Sequence, residues 1–427
     1  MNENTQEGMD RPINFAILAR FTARIEFARL QDALHRLEGR HYAFEHGNLR
    51  LAEGLALLKS RPFPMMEIVD CHDKSWQEIS VEELSVTFPA DGPYIRCKLL
   101  QKGNGSDLVM VFDHQVCDGL SGVILLRDLY ILLNDLELKL SALPVPPAIW
   151  EILPKAIQQN VFSKFRLALF MKYLDFKKWR KRHQPMEQEV WRYRIEAFDL
   201  SAEKSEAFIS RCKQEKTSVH AAISVAWMMS LQKFLIDRNK SAQLDKNPKL
   251  RSVSSPVSLR DLLPTETQDC AGMFYSTVVT ALDFSRPFDF WENARRVKKQ
   301  MDEERSKITF FDMPLFFKSM YQRQSKLPDG ETFNVPDFPV DYDFSISNMG
   351  RLDGYFVNPT KSGPAYQIDA IYGPMVNAFA GEKTVGVCMI NGKIHFVLTT
   401  FVGDMKESEI EKLCFSVAAL LENQVGV

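Results

Sequence analysis

The segment DLVMVFDHQVCDGLSG, residues 107–122, limits the possible folds more than any other part of the chain. Leu108–Phe112 is an unbroken apolar run of strand length, as expected of a strand covered on both faces. From Gly119 to Leu133, Val123, Ile124, Arg127 and Tyr130 recur at helical spacing. A buried strand, a short loop and a helix in that order predict a layered α/β architecture. The loop also carries reactive groups. His114 falls where the strand ends, a position that can hold a side chain rigidly at an interior cleft. An imidazole, with its ordinary pKa near 6.5, can serve there as a general base; the plainer alternative is a hydrogen-bonded core histidine. Asp118 precedes the helix, where a simple N-cap is the plainer role.

The same pattern extends along the chain. Ile13–Phe27 is strand-like, and Leu30, Ala33, Leu34 and Leu37 predict a helix over 27–37 that ends at Gly39. A strand is expected at Tyr94–Leu100. Pro144–Pro147 then breaks the chain, and a basic, aromatic stretch follows. A second α/β pattern begins with helices over 202–215 and 218–234. Strands are expected at 250–257, 273–282, 343–347, 384–390 and 393–401, and helices over 290–305 and 408–422. Asn391-Gly392 between the last two strands is a strong hairpin signal. The division is therefore an N-terminal half (1–143), a basic connector (144–194) and a C-terminal half (195–427).

Composition removes several classes. Lys+Arg 53 against Asp+Glu 55 leaves a net charge of -2, without the basic excess of a nucleic-acid-binding surface. The 7 cysteines are scattered with no C-x-x-C pair, so reduced thiols and a cytoplasmic setting are expected. MNENTQEGMD has no apolar core of a signal peptide. The longest apolar run, Ala221–Leu231, is short of the roughly 18 residues needed to span a bilayer. His35, His41, His46, His72, His183, His220 and His395 show no metal-ligand spacing, so no metal is expected. The 30 Phe point to wide apolar cores or to an apolar channel.

His114-x-x-x-Asp118-Gly119 resembles the active-site signature of the chloramphenicol-acetyltransferase-like superfamily, which includes condensation domains, alcohol acyltransferases and polyketide-associated acyltransferases. Other landmarks occur in the family's order. TSVHAAISVAW (217–227) resembles the helix opening the second half, SSPVSLRDLLP (254–264) the strand ending in Pro-Val-x-x-Arg, and AGMFYSTVVTALDF (271–284) the strand after it. FWENARRV (290–297), DYDFSISNMG (341–350) and INGKIHFVLT (390–399) resemble a helix, the late Ser-Asn-x-Gly strand and the closing hairpin. The resemblance covers nearly the whole chain. It implies two halves, each a mixed β-sheet with flanking helices, and an active-site channel between them entered from both faces.

By the same resemblance, His114 would deprotonate a hydroxyl or amine as it attacks a thioester carbonyl. Asp118 would turn away from the substrate and pair with Arg260, and Gly119 would let the backbone turn without blocking the channel. Ser345, Ser347 and Asn348 are candidates for stabilising the oxyanion that such a reaction develops, and Asp113 is a candidate substrate contact. Condensation domains carry a histidine where this chain has Asp113, which favours a free-standing acyltransferase. No tightly bound cofactor is implied. The co-substrate would be an acyl thioester of coenzyme A or phosphopantetheine, delivered in trans because the chain has no carrier motif. Expected partners are a small-molecule acceptor and a candidate acyl or peptidyl carrier protein, and the chain is expected to act as a monomer. The alternatives are an amide-forming condensation enzyme and a catalytically silent carrier-docking module.

Three further features have competing readings. Cys117 lies too close to His114 along one tight loop for a nucleophile–base pair, so a small filler is expected. Residues 164–182 carry eight Lys or Arg and five aromatics. The expectation is a solvated helical connector whose aromatic side lies on the core; the alternative is a surface for coenzyme A, a carrier or anionic lipid heads. The run TFFDMPLFFKSMYQ (309–322) is expected to pack as a core helix, with an acyl-pocket wall as the alternative.

Overall fold

The computed structural model describes residues 13–46, 65–69, 74–89, 92–182, 193–241, 250–285, 289–324, 340–357, 363, 365–377, 381–402 and 405–425. The first part contains β1 (Asn14–Phe21), α1 (Phe27–His35), α2 (Tyr42–His46), β2 (Met65–Val69) and α3 (Trp76–Leu84). Then come β3 (Ile95–Lys102), β4 (Gly105–Asp113) and α4 (Gly119–Asn134). The connecting stretch forms α5 (Ile149–Ile152), α6 (Lys155–Gln158) and α7 (Val161–Arg182). The second part holds β5 (Tyr193–Leu200), α8 (Ala202–Gln214), α9 (Val219–Ser241), β6 (Leu250–Ser258), β7 (Tyr275–Asp283) and α10 (Phe290–Arg305). It closes with α11 (Asp312–Gln324), β8 (Phe344–Arg351), β9 (Ile368–Asn377), β10 (Lys383–Ile390), β11 (Lys393–Phe401) and α12 (Glu407–Asn423).

The strands form two mixed sheets, ordered β2-β3-β4-β1-β9 and β5-β11-β10-β8-β6-β7. In the first, only β2–β3 is parallel; in the second, β10–β8 and β8–β6 are. β9 belongs to the second half in sequence but pairs with β1, so the late chain completes the first sheet.

The apolar runs follow from where each strand sits. Phe15, Ile17 and Ala19 of β1 face one core with α1 and α4, while Ala16 and Leu18 face another with α3 and β5. A strand covered on both sides has no polar alternation to show. In α4, Leu125, Leu129, Leu132 and Leu133 are fully buried, each contributing roughly 1.5–3 kcal/mol by leaving water. A further core packs β6, β8, β10 and β11 against α8, α9, α10 and α12.

Several expectations are corrected. β1 stops at Phe21, and the chain bends at Thr22 and Ala23. The strand expected from Met273 begins at Tyr275. α9 is longer than expected, and its Val219–Asn239 stretch is long and apolar enough by composition to cross a membrane. Here it is a core helix, with Ala222, Ile223, Ala226 and Trp227 fully buried. β2, α3, β5 and β9 have no counterpart in the sequence-based assignment. His72 and His183 lie outside the described residues.

Candidate active site

β4 ends at Asp113, and the chain turns through His114–Asp118 into α4. The loop is pinned by its backbone. The amide of His114 donates to Ile13 O at 2.9 Å and that of Asp118 to Gly272 O at 3.0 Å. The His114 ring stands edge-on to Phe15, with centroids 5.0 Å apart, and tilts over Tyr275 at 6.2 Å. Its Nδ1 lies 2.9 Å from Cys117 O. A carbonyl oxygen only accepts, so Nδ1 holds the proton and Nε2 keeps its lone pair. Burial pushes the imidazole below its ordinary pKa, opposed by the bond to the Cys117 carbonyl and the charge of Asp118. The ring is therefore neutral at neutral pH, with Nε2 unprotonated.

Asp118 combines the two roles anticipated for it. Its Oδ1 caps α4 by accepting from the Ser121 amide at 2.8 Å and from Ser121 Oγ at 2.6 Å. The same oxygen accepts from Arg260 Nη2 at 2.9 Å, and Oδ2 accepts from the Phe274 amide at 3.0 Å. Arg260 also donates from Nη1 to Gln268 O and Cys270 O, at 2.8 and 2.7 Å. Burial alone would raise the Asp118 pKa, but Arg260 and these donors hold it below the usual carboxylate value. The carboxylate is fully occupied and fastens the loop to the 260–274 segment of the second half.

Gly119 needs a different account from the one expected. It is the first residue of α4 and not a left-handed turn. A Cβ there would lie 3.3 Å from Pro374 Cγ and 3.4 Å from Met349 Sδ, so the missing side chain serves close packing at the cavity wall. Cys117 is fully buried, and burial pushes its thiol well above the ordinary value. This fits a filler and not a thiolate nucleophile. The six cysteines among the described residues are buried and unpaired.

Beside the loop lies a cavity of about 830 Å³ lined from both halves. His114, Gly119 and Leu120 form one wall, β6 and β7 contribute Ser254, Pro256 and Tyr275, and Pro374 and Val376 of β9 complete it. Ser345, Ser347 and Asn348 also line it. Asn348 Oδ1 accepts from the Gly350 amide at 2.9 Å, which leaves its NH₂ group to turn elsewhere. Asp113 does not join them: it is absent from the lining, and its Oδ1 accepts from the Gln115 amide at 3.0 Å. The Phe-rich helix α11, expected to pack in the core with a pocket wall as the alternative, does both: it gives the cavity Met313, Phe316, Phe317 and Met320, while Phe317 is also packed inward. α7 adds Arg166, Leu167 and Phe170.

Tyr275 and Tyr342 on the walls carried no signal in the sequence. Tyr275 is 30° from coplanar with His114, and burial raises its phenol above the ordinary range. Tyr342 donates to Glu382 Oε1 at 2.6 Å. Both positions become visible only when β6, β7 and β8 are laid side by side.

The family model for alcohol acetyltransferases matches residues 77–308, more than half of the chain and including the loop, Arg260 and β7. The chain belongs to the alcohol acetyltransferase family. It is accordingly an acyltransferase-family protein with the two-lobed chloramphenicol-acetyltransferase-like fold. No curated protein matches it by sequence. Among solved structures, the TRI3 trichothecene 15-O-acetyltransferase from Fusarium sporotrichioides is similar with a TM-score of 0.64 and 13% identity, covering 97% of this chain and 92% of that one. The polyketide synthase associated protein 5 from Mycobacterium tuberculosis gives 0.58 and 13%, covering 96% and 94%. The epimerization domain from the third module of tyrocidine synthetase B gives 0.58 and 13%, covering 97% and 92%. At such identities the likeness is one of fold.

Proposed function

We propose that this member of the alcohol acetyltransferase family transfers an acyl group from a thioester to a hydroxyl or amine acceptor, with His114 as general base. One observation carries the reading. Nδ1–H of His114 is committed to the Cys117 carbonyl, leaving Nε2 as the basic atom on a ring that lines the cavity.

Nε2 accepts the acceptor's proton as its oxygen or nitrogen bonds to the thioester carbonyl carbon. The carbonyl oxygen takes the negative charge of the tetrahedral intermediate. Ser345, Ser347 or the Asn348 amide, on the same cavity wall, can donate to it. As the C–S bond breaks, the thiolate takes the proton back from the imidazolium, so the base is regenerated. The Phe and Met side chains of α11 suit an acyl chain. A hydroxyl acceptor is favoured by the family and by the loss of the first histidine at Asp113. The donor is a coenzyme A or phosphopantetheine thioester used as a substrate.

The test is His114→Ala assayed by thiol release from acyl thioesters, with products identified by mass spectrometry from mixed acceptors. A positioned base contributes roughly 10²–10⁴-fold. The expected result is a loss of that size in kcat with a nearly unchanged thermal midpoint. Full residual turnover in the variant refutes the mechanism.

A further inference from the structure

The aromatic side of α7 does not lie on the core, as the sequence led one to expect. Val161, Phe162, Phe165, Leu169, Tyr173 and Phe176 are between 41% and 76% exposed. At roughly 100° per residue these six fall within about a third of the helix circumference and form one side of the helix. The opposite side is buried through Met171 and Leu174 and gives Leu167 and Phe170 to the cavity. Phe170 meets Phe316 edge-on at 5.6 Å. Two ion pairs hold α7 to α11: Arg166 to Asp312 at 2.8 Å, and Arg323 to Asp175 at 2.6 Å. The outward stripe is thus presented by a helix held to α11 at Arg166 and Asp175.

Charge selects what covers it. Residues 161–182 carry eight Lys or Arg and a single acid, in a chain whose net charge is -2. Lys172 is exposed within the stripe's own sector, and Lys164 is exposed to one side of it. Aromatic and aliphatic side chains flanked by lysines, on a helix lying flat over the protein, are the pattern of a helix seated at an anionic bilayer surface. We infer that α7 docks the protein onto an anionic phospholipid membrane. Its inner face walls the cavity, so the channel then stands about one helix diameter (~10 Å) from the lipid. An acyl chain or long-chain alcohol dissolved in the bilayer reaches the site without crossing bulk water.

The experiment is flotation of the full chain with vesicles of phosphatidylcholine alone and of phosphatidylcholine mixed with phosphatidylglycerol. Vesicle binding is read without any acyl transfer, so its failure is separate from a failure of the general-base mechanism. Wild type is expected to float with the mixed vesicles, more weakly at high salt, and poorly with phosphatidylcholine alone. Phe165→Glu/Leu169→Glu changes two exposed residues outside the cavity and is expected to weaken partitioning about 100-fold, roughly tenfold for each apolar side chain lost. Its thermal midpoint and its turnover of a short soluble thioester stay at wild-type values. Lys164→Gln/Lys172→Gln removes about fivefold per lysine, and only from the anionic vesicles. Wild-type protein that ignores both vesicle types, or binds them equally, overturns the inference. So does a Phe165-dependent dimer in sedimentation equilibrium, or Phe165-dependent capture of an acyl carrier protein, if vesicles are not bound.

Discussion

Arg260→Met tests whether the Asp118–Arg260 pair holds the architecture or takes part in the chemistry. The guanidinium is 5% exposed and makes four hydrogen bonds, to Asp118, Ser121 and the carbonyls of Gln268 and Cys270. Removing it leaves a buried carboxylate without its counter-charge and two carbonyls without their donor. Breaking a buried pair in this way costs roughly 3–5 kcal/mol. With about 2.1 cal/mol/K of unfolding entropy per residue, a chain of this length moves its midpoint by about 1 °C per kcal/mol. The expected fall is therefore about 3–5 °C, with a matching drop in urea midpoint at constant slope. Asp118→Asn alone should destabilise comparably, because Asn cannot accept from all three partner groups. The double variant closes the cycle. It should be less destabilised than the sum of the singles by about 1–3 kcal/mol, since the second change removes a charge that has already lost its partner. A midpoint for Arg260→Met within about 1 °C of wild type, or strict additivity in the cycle, refutes the structural role.

The pH profile has a definite sign. The proposed base must be neutral, and the His114 pKa lies below the ordinary imidazole value, so activity is expected to persist as pH falls past about 6.5 and to be lost only lower; an acid limb of kcat at or above that value contradicts the proposal. His220, bonded to Ser255 Oγ at 2.8 Å, is pushed down to about 4 by burial. Its unfolded form binds a proton first, so stability is lost as pH falls from about 6.5 toward 4, and His220→Gln should flatten that slope in urea titrations. Cys117→Ala should keep most of the turnover, and iodoacetamide should not label native Cys117; activity lost along with labelling would restore the nucleophile reading. Gly386→Ala would place a Cβ 2.5 Å from Gly373 C and 2.6 Å from Pro374 O. Relief requires moving β9, so a cost at or above the roughly 1–3 kcal/mol of overpacking is expected in the urea midpoint.

The parts of the fold legible in the sequence are those whose signals are local. α10 and β11 fall on their expected bounds, Phe290–Arg305 and Lys393–Phe401. The hairpin signal at Asn391-Gly392 works because both residues adopt positive φ, 51° and 76°, as the two-residue turn requires. β9 gives no local strand signal, because IDAIYGPMVN contains Gly373-Pro374, and proline inside a run argues against a strand. The structure resolves the conflict with an irregularity. β1 pairs Ala16 with Met375 and Leu18 with Tyr372, so Gly373 and Pro374 sit in a register shift at the edge of the sheet. That shift could not be read without knowing which strand β9 meets.

The site divides along the same line. His114, Asp118 and Gly119 were legible because one strand–loop–helix unit carries them all, and Arg260 because it belongs to a second compact landmark. The cavity walls were not, because no single stretch builds them: Tyr275, Phe316, Ser345 and Pro374 come from four elements. Asp113 shows the converse error, since adjacency to His114 in sequence reverses direction along the pleat and carries its side chain out of the cavity. The aromatic residues of α7 failed for an energetic reason. Phe is placed inside by default because burial is favourable, and that default holds only when water is the alternative to the core. An exposed Phe162 and Phe165 beside lysines bring in a third environment, the anionic bilayer surface proposed above for α7.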